Sequence, residues 1–166
     1  MANAQRPIVI QRLYFCRLHL EWWSAELARQ ETPKAIIEQS LGESTLFHLV
    51  MAYRAYLQEI ATAYTVPAID YVNAGDLIAT LSAQGYDSAE ARELAALEVG
   101  MGWLAGLLTQ YSALGPLRGP TAVSSLQVIS ASQVNNTDPI GLEDCRDYFQ
   151  ALSEIIDNQR TRLEEW

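Results

Sequence analysis

Apolar side chains recur along this chain in alternating steps of three and four residues, over four separate segments. From Pro7 to Gln30 the stripe is Val9, Leu13, Cys16, Leu20, Trp23 and Leu27. The second runs Leu46, Val50, Tyr53, Leu57, Ile60 and Tyr64, and the third Leu94, Leu97, Met101, Leu104, Leu108 and Tyr111. The last is Leu142, Cys145, Phe149, Leu152 and Ile156, continuing to Leu163 and Trp166. This spacing holds one seam of an α-helix against one neighbour. Four seams in one small chain cover each other most simply as a bundle. The expected fold is all-α and four-helix-bundle-like: four long helices plus one short helix in a single domain over 1–166.

Local signals set the expected boundaries. Thr32 before Pro33 reads as an N-cap with proline in the first turn. Ser40 with Glu43 suggests a restart or kink near Gly42, and Pro67 ends the second helix. The stretch NAGDLIATLSAQG reads as the short helix, closing at Gly85, and Asp87 with Glu90 forms a capping-box pattern for the next. Gly100 and Gly102 mark a break or kink. Residues 115–138, rich in proline, glycine, serine and asparagine, read as a long crossover before the last helix, which Asp138 and Pro139 open.

The chain carries 20 Asp and Glu against 11 Lys and Arg, a net charge of −9. Such a balance repels phosphate backbones and anionic lipid, so neither nucleic acid nor a membrane is an expected partner. No apolar run is long enough to span a bilayer, and the N-terminal segment lacks the apolar core of a secretory signal. Cys16 and Cys145 are too few for a disulfide scaffold. A reduced, cytoplasmic protein is the expectation.

Catalytic groups are scarce. On a helical wheel His48 points away from its seam, beside Met51, Ala52, Ala55, Glu59 and Thr62, a polar and small-residue face. Glu59 lies roughly 16 Å along the axis, too far to share a metal. His19 sits between the first seam and a second apolar band of Phe15, Leu18 and Trp22. Neither histidine has a glutamate three residues before it, as a di-iron bundle requires. Both cysteines sit in seams while His48 points elsewhere, so a four-ligand zinc site is not expected. Arg12 and His19 loosely match an arginine–histidine spacing of HEPN-type ribonucleases, in which arginine holds a phosphate and histidine moves a proton. Any long helix can produce that spacing. Nucleophile elbows, phosphate loops, Rossmann glycines and CxxC pairs are absent from the sequence. No catalytic, cofactor-binding or metal-ligating residue is assigned, and no cofactor is expected.

What remains is apolar excess. The first helix carries Tyr14, Phe15, Leu18 and Trp22 beyond its seam, and the third long helix Trp103, Leu107 and Leu114. One core does not need both faces of both helices. Phe15, Leu18, Trp22, Trp103 and Leu107 are therefore the candidate interaction surface, with a homodimer or another protein as partner. The alternative is a small-ligand pocket shaped by Trp23, Tyr53, Tyr56, Tyr111 and Phe149.

The segments LYFCRLHLEWW, STLFHLVMAYRAYLQEIATAY, WLAGLLTQYSAL and YFQALSEIIDNQRTRLEEW resemble, in order, those of a family of small helical gammaproteobacterial proteins, domain of unknown function 6586. The resemblance covers nearly the whole chain and is loosest in the crossover. It implies a helical fold and a cytoplasmic bacterial origin, and no activity or site residue. The leading expectation is a non-enzymatic protein acting in protein–protein interaction or self-assembly. A ligand-binding bundle comes second, and a metal-dependent or HEPN-like enzyme third.

Overall fold

The computed structural model describes residues 4–115 and 140–164. Among them every regular element is a helix: α1 (Arg6–Arg29), α2 (Lys34–Ala63), α3 (Ala74–Ala83), α4 (Ala89–Val99), α5 (Trp103–Ala113) and α6 (Leu142–Glu164). All but the first residue of the expected crossover lies outside the described residues, as do Asp138, Pro139 and Trp166.

Pro7 stands in the first turn of α1, where its missing N–H is no loss, and Gln30 closes the helix in the left-handed region at φ 56°. The N-cap of α2 is Pro33 rather than Thr32, its carbonyl taking the N–H groups of Ile36 and Ile37 at 3.0 and 3.2 Å. No restart occurs at Gly42. A Cβ there would stand 3.1 Å from Ile140 and 3.2 Å from Trp23, so this glycine admits the indole against the backbone and the helix runs on. Past its end Thr65 takes φ 57°, and the Val66 N–H reaches back to the Ala61 carbonyl at 3.0 Å.

The Asn73 side chain caps α3 by accepting from the Asp76 N–H at 2.9 Å, and Gly85 at φ 79° closes it as the sequence suggests. Ser88, not Asp87, caps α4: its Oγ accepts from the Ala91 N–H at 3.2 Å. Asp87 instead meets Arg92 at 3.1 Å. The expected third long helix is two helices. Gly100 and Gly102 are extended, and two glycines in three residues, each costing about 1 kcal/mol against alanine in a helix, make continuation unfavourable. Met101 consequently leaves its expected seam and stands fully exposed.

α2 is the axis of the packing. It touches α1, α3, α4, α5 and α6, while α1 also meets α6 and α5 meets α4 and α6. Its own buried residues occur on every side, including Ala52, Ala55 and Glu59 from the polar and small-residue face. Small side chains let neighbouring helices close over that face, and Glu59 is neutralised inside it by Arg160. Gly106 serves the α5–α6 approach, where a Cβ would lie 2.9 Å from the Tyr148 hydroxyl; Gly102 faces open space. Cys16 and Cys145 are buried free thiols, each pushed up to about 12 by burial. No described helix is long and apolar enough to cross a membrane.

Candidate functional site

Arg12, Phe15, His19 and Trp22 follow one another on α1 in steps of three, four and three, so they form a single stripe beside the main seam. The four-residue turn after Arg29 folds α2 back along α1. Phe47 and His48 of α2 thereby come against the middle of that stripe. The His48 ring lies 5.0 Å from the His19 ring and 5.3 Å from each of the Phe15 and Phe47 rings, meeting both phenylalanines edge-on. Trp22 stands 5.2 Å from His19, and the Arg12 guanidinium lies 6.0 Å from the Phe47 centroid.

The hydrogen-bond partners fix the ring protons. A carbonyl only accepts, so His19 donates through Nδ1 to the Phe15 oxygen at 2.8 Å, and its Nε2 is left open. A guanidinium only donates, so His48 Nδ1 accepts from Arg12 Nη1 at 3.5 Å, a long bond, and the His48 proton resides on Nε2. Burial, with the electrostatic effect of His19 and Arg12 adding to it, holds His48 below the usual histidine range. No described carboxylate forms an ion pair with any of the three. Among the described residues no three of His, Cys, Asp and Glu converge on a metal position.

The two histidines that the sequence sets apart are thus neighbours, and Arg12 bonds to His48 rather than pairing with His19 along α1. Read one wheel at a time, each imidazole looks isolated. Folding the hairpin at Thr32–Pro33 puts Phe15 and His48 at nearly equal chain distances from the turn, and that is the signal that would have joined them.

The expected interaction surface divides. Phe15 and Leu18 are half-buried on α1, and Trp22 is 52% exposed. Trp103 packs partly against the core, and Leu107 is fully buried within the chain, so Leu107 belongs to no surface: α5 turns that side toward its helical neighbours. Of the residues expected to shape a pocket, Trp23, Tyr53 and Tyr56 are completely buried, whereas Tyr111 and Phe149 are half-buried against the same core. Tyr53 donates to Glu98 Oε1 at 2.6 Å and Tyr56 to Gln159 Oε1 at 3.0 Å. These rings fill space between helices, and those two hydroxyls are engaged by the chain itself.

The model of the family described as "Family of unknown function (DUF6586)" matches residues 1–166. No curated protein and no solved structure matches the chain. The match spans the whole chain, and the chain belongs to the DUF6586 family.

Proposed function

We propose that this chain is a non-enzymatic assembly protein of the reducing cytoplasm, a helical bundle that self-associates through the outer face of its α1–α2 hairpin. The observation that carries the reading is Trp22, a 52% exposed indole at the end of a stripe that Phe15 and Leu18 extend. Ile8, Tyr14 and Phe47, exposed by 42%, 47% and 42%, widen the same side of the hairpin. Aromatic side chains rimmed by polar groups are the usual anchors of protein interfaces.

Charge argues for a second copy as the occupant. Two chains of net charge −9 repel, and they approach at least cost where carboxylates are fewest. α1 carries four arginines against two glutamates, and its stripe, with His48 of α2 against it, holds only Arg12, two imidazoles and rings. Light scattering on the eluting protein at micromolar concentration is expected to give twice the chain mass, and Trp22→Ser a single chain. A wild-type monomer over that range would sink the proposal.

A further inference from the structure

We infer that Arg12, His19 and His48 form an oxyanion-binding site whose aromatic rim favours an oxyanion carried on a flat apolar body, such as an aryl phosphate. The inference does not rest on self-association. It starts from an imbalance: in a chain with nearly twice as many acids as bases, each cation has a surplus of carboxylates to choose from. Seven described basic side chains do meet one within 4.0 Å, among them Arg17 and Arg29 on the same helix as Arg12. Arg12 instead stands against His48 and the Phe47 ring. It directs one N–H at an imidazole, a weak partner for a permanent cation, and its remaining donors have no carboxylate among the described residues.

The imidazoles complete a donor array of the right kind. His48 carries its proton on Nε2 because Arg12 occupies Nδ1. His19 gives its Nδ1 proton to the Phe15 carbonyl, and its Nε2 becomes a second donor when that ring takes up a proton. With the rings 5.0 Å apart, a compact oxyanion can take hydrogen bonds from His48 and the guanidinium, and from His19 in its protonated form. A cation is disfavoured by Arg12, and the described residues supply no third ligand for one. The rim is built from Phe15, Phe47 and Trp22, the last two open to solvent by 42% and 52%. Flat apolar surfaces rest on such rings at little ordering cost.

The groups facing His48 are Arg12 and His19 from α1 and the Phe15 and Phe47 rings. Its charged form is therefore opposed by both polar neighbours, and a bound oxyanion reverses that opposition. Anion binding and His48 protonation reinforce each other, so affinity rises as pH falls through the histidine range.

The chain has two histidines, so proton NMR of its imidazole C2–H groups reports this site alone. Titration with inorganic phosphate, phenyl phosphate and benzoate, against sodium chloride at equal ionic strength, is expected to shift both resonances. Both midpoints should rise with the oxyanions and not with chloride. Phenyl phosphate should bind about tenfold tighter than phosphate, and Arg12→Gln should weaken both by about tenfold. Arg17→Gln, whose guanidinium is already paired with Glu21, should leave affinity unchanged. If benzoate outbinds phenyl phosphate, the site takes carboxylates. Equal response to chloride, or a folded Arg12→Gln protein with unchanged affinity, would overturn the site. Phenyl phosphate binding no better than phosphate would overturn the role of the rim. Inorganic phosphate titrated into Trp22→Ser, which the assembly reading expects to be a single chain, should still shift both resonances, so the site fails or succeeds separately from the assembly reading.

Discussion

Two polar regions lie along α2, and they are built on opposite terms. Toward its C-terminal end, Glu59 takes a two-pronged bond from Arg160 of α6 at 2.8 and 2.7 Å, both side chains almost wholly buried. Beside it Tyr56 donates to Gln159, whose amide donates in turn to the Glu90 carbonyl and to Glu93, and Arg162 pairs with Glu93. Tyr64 and Ser88 close on the Glu90 carboxylate at 3.1 and 2.9 Å. These charges have partners within the chain, and the network ties α2, α4 and α6 together. Around His48 the reverse holds: a cation without a carboxylate, two imidazoles with an open nitrogen each, and rings left partly in water. A saturated network holds a fold, whereas an unsaturated one is available to a ligand.

The largest effect should come from opening the saturated region. Arg160→Met leaves Glu59 charged and buried with its two-pronged partner gone, which costs about 3–5 kcal/mol in chemical denaturation. Replacing Glu59 by Met as well should recover most of that loss, since the second change removes the stranded charge. If the single variant unfolds like wild type, the closed network is not what joins α6 to α2.

Next in size is Tyr56→Phe, which strips a buried donor from Gln159 and should cost about 1–2 kcal/mol. Tyr14→Phe on the open face serves as its counterpart and should not move the unfolding midpoint. Equal losses from the two substitutions would erase the distinction between the regions.

Acid should separate them as well. His48 lies below its ordinary value of 6.5 in the folded chain, so the unfolded chain protonates first as pH falls past that value, and stability drops there. Glu93 is pulled up by burial, but its bonds from Arg162 and Gln159 prevail and hold it below the ordinary 4.5. Its contribution is present above that value and fades as pH falls below it. The thermal midpoint measured against pH should show both declines, the upper removed by His48→Gln and the lower by Glu93→Gln. Phosphate should flatten the upper decline alone.

How much of this was readable beforehand follows from distance along the chain. The helices were legible because their signal is local: seams, the Asn73 and Gly85 signals, and the Gly100–Gly102 break each lie within a few residues. The split into α4 and α5 needed only a decision that two glycines in three residues end a helix. From the sequence Glu59 is only one more residue of a polar and small-residue face, because its partner stands 101 residues away and no periodicity announces Arg160. Ser88 does not announce itself as the cap, because Asp87 fits the pattern equally well. The histidine pair lies between these cases. Its members are on adjacent helices joined by a short turn, yet each wheel, taken alone, assigns them separate surroundings.

The smallest effect on stability is expected from Trp22→Ser, and its smallness is the point. Measured at dilutions below association, so that loss of the dimer does not itself lower stability, a half-exposed indole that touches His19 but belongs to no closed core should change the unfolding free energy by no more than about 0.5 kcal/mol. Association has to respond far more strongly than stability if the face exists to be covered by another copy. A loss above about 1 kcal/mol would mean that Trp22 is part of the chain's own packing. The open face would then be one more structural region, differing from the Arg160 network only in how much water reaches it.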